Sequence, residues 1–214
     1  MDIVKVLKDK FDKKILLRND AQCAALAEKE IGSIKNYDDV IFLTIGTGIG
    51  GSVFLGGKML TPKRQRGFEI GHMVMDLNGK RCTCGRKGCF ETMASMKQFK
   101  NDIKERLKID SETTGVQIRQ LLEYKDQYDT VEDIIDNYIY NLSEGLANLI
   151  TIFAPEAIAI GGSFAHYDKF LLNKLRNELT NKDALFTKDL VPKIILASLK
   201  NEAGIIGSTL DKEE

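Results

Sequence analysis

The chain has 214 residues, enough for one large domain or two small ones with a sizeable core. Hydrophobic residues make up 43% and charged residues 29%, a globular balance that argues against disorder. Thirty-one basic residues offset thirty-one acidic ones, so no general attraction to nucleic acid or to an anionic membrane is expected. Apolar runs such as Val40–Ile45 are too short to cross a bilayer, and the N-terminus lacks the pattern of a signal peptide. The expectation is a soluble, cytoplasmic protein.

In chain order, Val4, Leu7 and Phe11 predict a short amphipathic helix, and Ile15–Leu17 a buried strand ending at Arg18-Asn19-Asp20. Ala21–Glu30, rich in Ala and Glu, predicts a helix. Two strands follow, Val40–Ile45 and Gly50–Gly56. The stretch from Gly67 to Gly88 is glycine-rich and aperiodic, a loop held by something other than packing. Helical periodicity resumes over 95–108 and 114–124, and is longest over 131–153, where it stops at Ala154-Pro155. Ala157–Ile160 reads as a strand, 167–180 as a helix, Leu190–Ala197 as a last strand and Glu202–Leu210 as a last helix. Strands and helices mix, with an early hairpin and later alternation, which defines an α/β class.

Three of the four cysteines, Cys82, Cys84 and Cys89, crowd into eight positions. In a chain of this kind such clustering points to a metal before a disulfide. Three thiolates and one imidazole make a closed tetrahedral set for structural zinc. The histidine is either His72 or His166; spacing alone does not choose. Cys23, set among alanines, reads as a small buried residue.

Gly46-Thr47-Gly48-Ile49-Gly50-Gly51 fits GxGxxG, but a strand follows where a dinucleotide fingerprint needs a helix. It is a hairpin turn, used either for simple reversal or as a nest of N–H groups for phosphate with Thr47 as an added donor. Asp20, at a strand end before a helix, suits an N-cap and also a general base. Glu69 and Glu91 flank the metal loop, as solvated charges or as acceptors for a polyhydroxylated ligand. Gly161-Gly162 ends a buried strand, as a turn or as a close approach to a nucleotide.

Taken together, these segments resemble the ROK family (repressors, open reading frames and sugar kinases) of the actin/hexokinase-like fold, from about Asn19 to the last helix. The resemblance is carried by Asn19-Asp20-Ala21, the 46–51 glycine motif, Glu69-Ile70-Gly71-His72, the run from Cys82 to Glu91, Ile158–Gly162 and Ala203–Gly207. It implies that Asp20 is the base in phosphoryl transfer from ATP, with magnesium, to a hexose or N-acetylhexosamine. Asn19, Gly48, Glu69, His72 and Glu91 would line the sugar site, and His72 would complete the zinc set. The loop at Thr47 and Gly48 would face the ATP phosphates, and Gly161-Gly162 the adenosine.

Two departures stand out. Phe68 replaces a residue that is usually small, and the Asp-x-Gly-Gly-Thr strand of the family's first lobe is absent. The resemblance therefore implies the C-terminal two-thirds of a ROK protein. Residues 1–18 would be a remnant of the first lobe and 19–200 the second lobe, with a zinc loop at about 67–91. The helix at 201–214 would pack through Ala203, Ile206, Gly207 and Leu210 on the missing lobe or, left open, drive dimerisation. Such a chain would be inactive alone. A sugar-sensing repressor and a non-catalytic zinc-binding remnant are the competing readings. No nucleic-acid or membrane partner is expected.

Overall fold

In the computed structural model, residues 2–62, 68–124, 129–181 and 190–210 are described. Gly67, at the start of the expected metal loop, lies outside them. The elements run α1 (Ile3–Phe11), α2 (Asp20–Glu30), β1 (Val40–Ile45), β2 (Ile49–Leu55), β3 (Lys58–Met59), α3 (Phe90–Ala94), α4 (Met96–Arg106) and α5 (Gly115–Leu122). There follow α6 (Asp129–Phe153), β4 (Ala157–Gly161), α7 (Asp168–Asn181), β5 (Lys193–Leu196) and α8 (Ala203–Ser208). Short 3-10 turns cover Ile70–His72, Gly162–Tyr167 and Lys200–Glu202.

The strands form one mixed sheet in the order β3-β2-β1-β4-β5. The β1–β2 hairpin is antiparallel, while β1–β4 and β4–β5 are parallel. β1 and β4 are apolar at nearly every position because both faces of the sheet are covered. Ile41, Leu43 and Ile45 point into a large core shared with α4, α6 and α7. Val40 and Phe42, offset by one residue, point into a smaller core under α2 and α8.

Three expectations are corrected. Ile15–Leu17 is not a strand: no described strand pairs with it, and Leu16 and Leu17 are 44% and 58% exposed. A short apolar run without a pairing edge has no reason to stay extended in a sheet. The last strand is shorter than 190–197, because only Lys193–Leu196 pairs with β4. The stripe on α8 packs within this chain. Ala203 and Gly207 are buried, and a Cβ on Gly207 would fall 1.7 Å from the Cys23 carbonyl oxygen of α2. Ile206 and Leu210, partly buried, pack against the same small core. The buried reading of Cys23 holds.

Glu28 on α2 gave no signal in the sequence, yet it is fully buried. Its carboxylate accepts from Ser33 N (2.6 Å), Ser33 Oγ (2.8 Å), Ser198 Oγ (3.0 Å) and Leu199 N (2.7 Å). Four donors satisfy the buried oxygens, so the charge fastens α2 to the segment between β5 and α8 rather than opposing folding.

Candidate sugar and metal site

The metal loop folds as a set of turns. Val74 bridges Cys89 and Arg81 bridges Lys87, while Met75 N and Cys82 N donate to Gly88 O and Arg86 O, both at 2.8 Å. This brings His72, Cys82, Cys84 and Cys89 together, with their ligand atoms all within 4.8 Å of one another. Cys82 Sγ lies 3.5 Å from His72 Nδ1, and Cys84 Sγ lies 3.6 Å from Cys89 Sγ. A tetrahedron with sulfur about 2.3 Å and nitrogen about 2.0 Å from zinc has edges of about 3.5–3.8 Å. The donor set therefore fits zinc in both chemistry and spacing. His166, the other candidate, is exposed in the turn after β4 and is not in the cluster.

The thiols differ in environment. The Arg86 backbone N–H holds the Cys84 thiol down to about 6, whereas burial and the neighbouring Cys84 and Cys82 push Cys89 up to about 12. A cation would favour the thiolate at every one of these sulfurs.

Four consecutive residues at the hairpin gather the other segments. A Cβ on Gly48 would fall 2.3 Å from Glu91 Oε2, and that same oxygen accepts from Ile49 N at 3.1 Å. Gly71, beside His72, packs so closely that a Cβ would stand 2.1 Å from Ile49 O. Gly50 meets Ala21, next to Asp20, and Gly51 meets Ile70, next to Glu69. Residues 48–51 thus place the starts of α2 and α3 and the turn holding Glu69 and His72 around one strand end. Glu91 is half-buried and hydrogen-bonded, not a solvated charge.

The structure corrects the capping role. Asn19, not Asp20, caps α2: Asn19 Oδ1 accepts from Gln22 N at 2.7 Å, and Gln22 Oε1 accepts from Asn19 N at 3.1 Å. The Asn-x-x-Gln spacing was the missed signal. Asp20 is exposed at the first helical position. Its Oδ1 accepts from Ala21 N at 2.9 Å, and Oδ2 has no partner among the described residues.

Thr47 is exposed at the tip of the turn. Gly161 pairs with Thr44, and Gly162, with φ of 75°, turns back against Ile45. The loops after parallel strands β1 and β4 therefore lie side by side at the carboxyl ends of the strands, where open α/β sheets take ligands. Phe68 has φ of 54°, a region costly for a bulky side chain, and packs partly buried on the large core. A small residue would sit there with less strain.

The fold is that of the actin/hexokinase-like α/β proteins. Residues 1–210 match the ROK family, and the chain belongs to it. A glucokinase of Thermotoga maritima is 32% identical over 213 residues, covering 94% of this chain and 67% of that protein. A xylose repressor of Bacillus subtilis is 28% identical over 182 residues, 85% of this chain and 46% of the repressor. The ROK hexokinase of Thermus thermophilus superposes with a TM-score of 0.80 at 30% identity, covering 97% of this chain and 68% of the hexokinase. The chain thus spans about two-thirds of such kinases and under half of such a repressor.

Proposed function

We propose that this chain carries the sugar-binding and base-bearing part of an ATP-dependent hexose or N-acetylhexosamine kinase. The observation that supports this most is the gathering of Asp20, Glu69, His72 and Glu91 around residues 48–51. Asn19 uses its amide oxygen as the cap, which leaves its NH2 to donate to a sugar hydroxyl. Glu91 uses Oε2 on Ile49 N, which leaves Oε1 to accept from one, and exposed Glu69 offers a second carboxylate.

Asp20 Oδ2 takes the proton of the attacking hydroxyl. That oxygen forms its bond to the γ-phosphorus as the bond from phosphorus to the β–γ bridging oxygen breaks, and ADP leaves with the electron pair. The backbone at Thr47 and Gly48 faces the phosphates, Gly161-Gly162 faces the adenosine, and magnesium travels with ATP. The zinc set His72, Cys82, Cys84 and Cys89 has a structural role: it fixes His72 and the Glu69 turn beside the pocket.

ADP release over a panel of hexoses, coupled to a spectroscopic readout, tests the reading. Because the chain spans about two-thirds of the kinases it resembles, the assay belongs both on this chain and on one extended to their length. Turnover is expected to be poor in the former, since positioning both reactants is worth roughly 7–11 kcal/mol of barrier. In the extended chain, Asp20→Asn should lower turnover by roughly 10²–10⁴ with sugar binding retained. Turnover within threefold of the parent, about 0.7 kcal/mol, would remove Asp20 from the chemistry. A second reading, a sugar-responsive repressor, is favoured by the likeness to the xylose repressor. It predicts sugar binding with no turnover in either chain.

A further inference from the structure

Behind the metal loop lies a cavity of about 310 Å³, walled by that loop, α3, α4 and α6. It is separate from the site around residues 48–51: Glu91 on α3 reaches the hairpin, while the next two residues, Thr92 and Met93, line the cavity. Its lining charges cancel, Lys80 and Arg106 against Asp76 and Asp102, so it has no net field to hold an anion. It offers both donors and acceptors instead. Asp102, half-buried, accepts from Gln98 Nε2 at 2.5 Å and stands 3.9 Å from the exposed Lys80 Nζ. Asn137 and Asn141 lie one turn apart on α6, and both line the cavity. Asn137 is exposed and Asn141 half-buried, and neither amide has a hydrogen-bond partner among the described residues. Met93 adds an apolar contact, with Ile134 buried in the core beneath.

A hydroxyl both donates and accepts, and a pyranose also offers an apolar face. Paired amides, two carboxylates, two basic side chains and the Met93 side chain offer donors, acceptors and an apolar contact of that kind. We infer that this cavity is a second small-molecule site, for a neutral polyhydroxylated ligand such as a monosaccharide. Bound there, the ligand bridges Lys80 of the metal loop to α4 and α6. The inference does not depend on the kinase reading, because it uses none of the residues assigned to that site.

The test is sugar binding at millimolar concentration, with glucose and N-acetylglucosamine as probes and inorganic phosphate as the charge control. Saturation-transfer NMR reads the sugar, and the side-chain amide resonances of Asn137 and Asn141 read the site. The host is the chain with Glu69→Ala and Glu91→Ala, which removes both carboxylates assigned to the sugar at the other site. Sugar binding should persist in that host and shift both amide resonances. Adding Asn137→Ala and Asn141→Ala should weaken it roughly tenfold or more. Alanine at these two helical positions preserves the fold, which circular dichroism verifies. Three results would each overturn the inference: no binding in the host, binding unchanged by the alanine pair, or phosphate competing with the sugar. Loss of turnover bears only on the kinase reading.

Discussion

The sheet and the metal loop are held by different physics. β1 and β4 are buried on both faces, and their order comes from apolar packing against long helices. The loop from His72 to Cys89 has two isolated bridges, a few turns and the four side chains that could hold a metal, and most of it is half-buried or exposed. The sheet should therefore be ordered without an ion and the loop should not. The proposed sugar site would depend on both kinds of order, because Gly71, between Ile70 and His72, packs against Ile49 of the hairpin while His72 belongs to the metal set.

The comparison can be broken first at its seam. Phe90 follows Cys89 and is fully buried in the large core. Phe90→Ala should cost about 3–5 kcal/mol, read as a lower midpoint in urea. A cost under about 1 kcal/mol would mean that the loop is not anchored to the core there. On the far side of the sheet, Glu28→Gln keeps size but replaces an acceptor oxygen with a donor amide facing four donors. About 3 kcal/mol should be lost, with zinc content unchanged; release of zinc would show that the two regions are not independent.

The smallest effects separate capping from chemistry at the start of α2. Asn19→Ala should cost about 1 kcal/mol, while Asp20→Asn should change stability by no more than about 0.5 kcal/mol. A larger loss for Asp20→Asn than for Asn19→Ala would return the cap to Asp20.

How far the sequence can be read follows the same division. The strands Val40–Ile45 and Ala157–Gly161 and the long helix ending at Phe153 were legible because burial imposes an apolar pattern on them. The metal set was legible from ligand chemistry, although the choice of His72 over His166 needed the resemblance or the structure. The short helix α3 was not legible, since five residues are too few for periodicity and Ser95 starts α4 at once with its own cap. Ile15–Leu17 misled because apolar composition says nothing about whether a pairing edge is present. Glu28 was invisible because its partners Ser198 and Leu199 lie 170 and 171 residues away. The gathering at residues 48–51 was implied by the resemblance, but the contacts that produce it needed coordinates.

The division between the two kinds of order is tested most directly by hydrogen exchange on the purified protein, before and after chelation, alongside its zinc content. One zinc per chain should be present, lost in Cys84→Ser. Chelation should strip protection from amides between Met73 and Cys89 while those of β1 and β4 keep theirs. Absence of zinc, or a loop whose protection survives chelation, would contradict the account, and so would a sheet that unravels together with the loop.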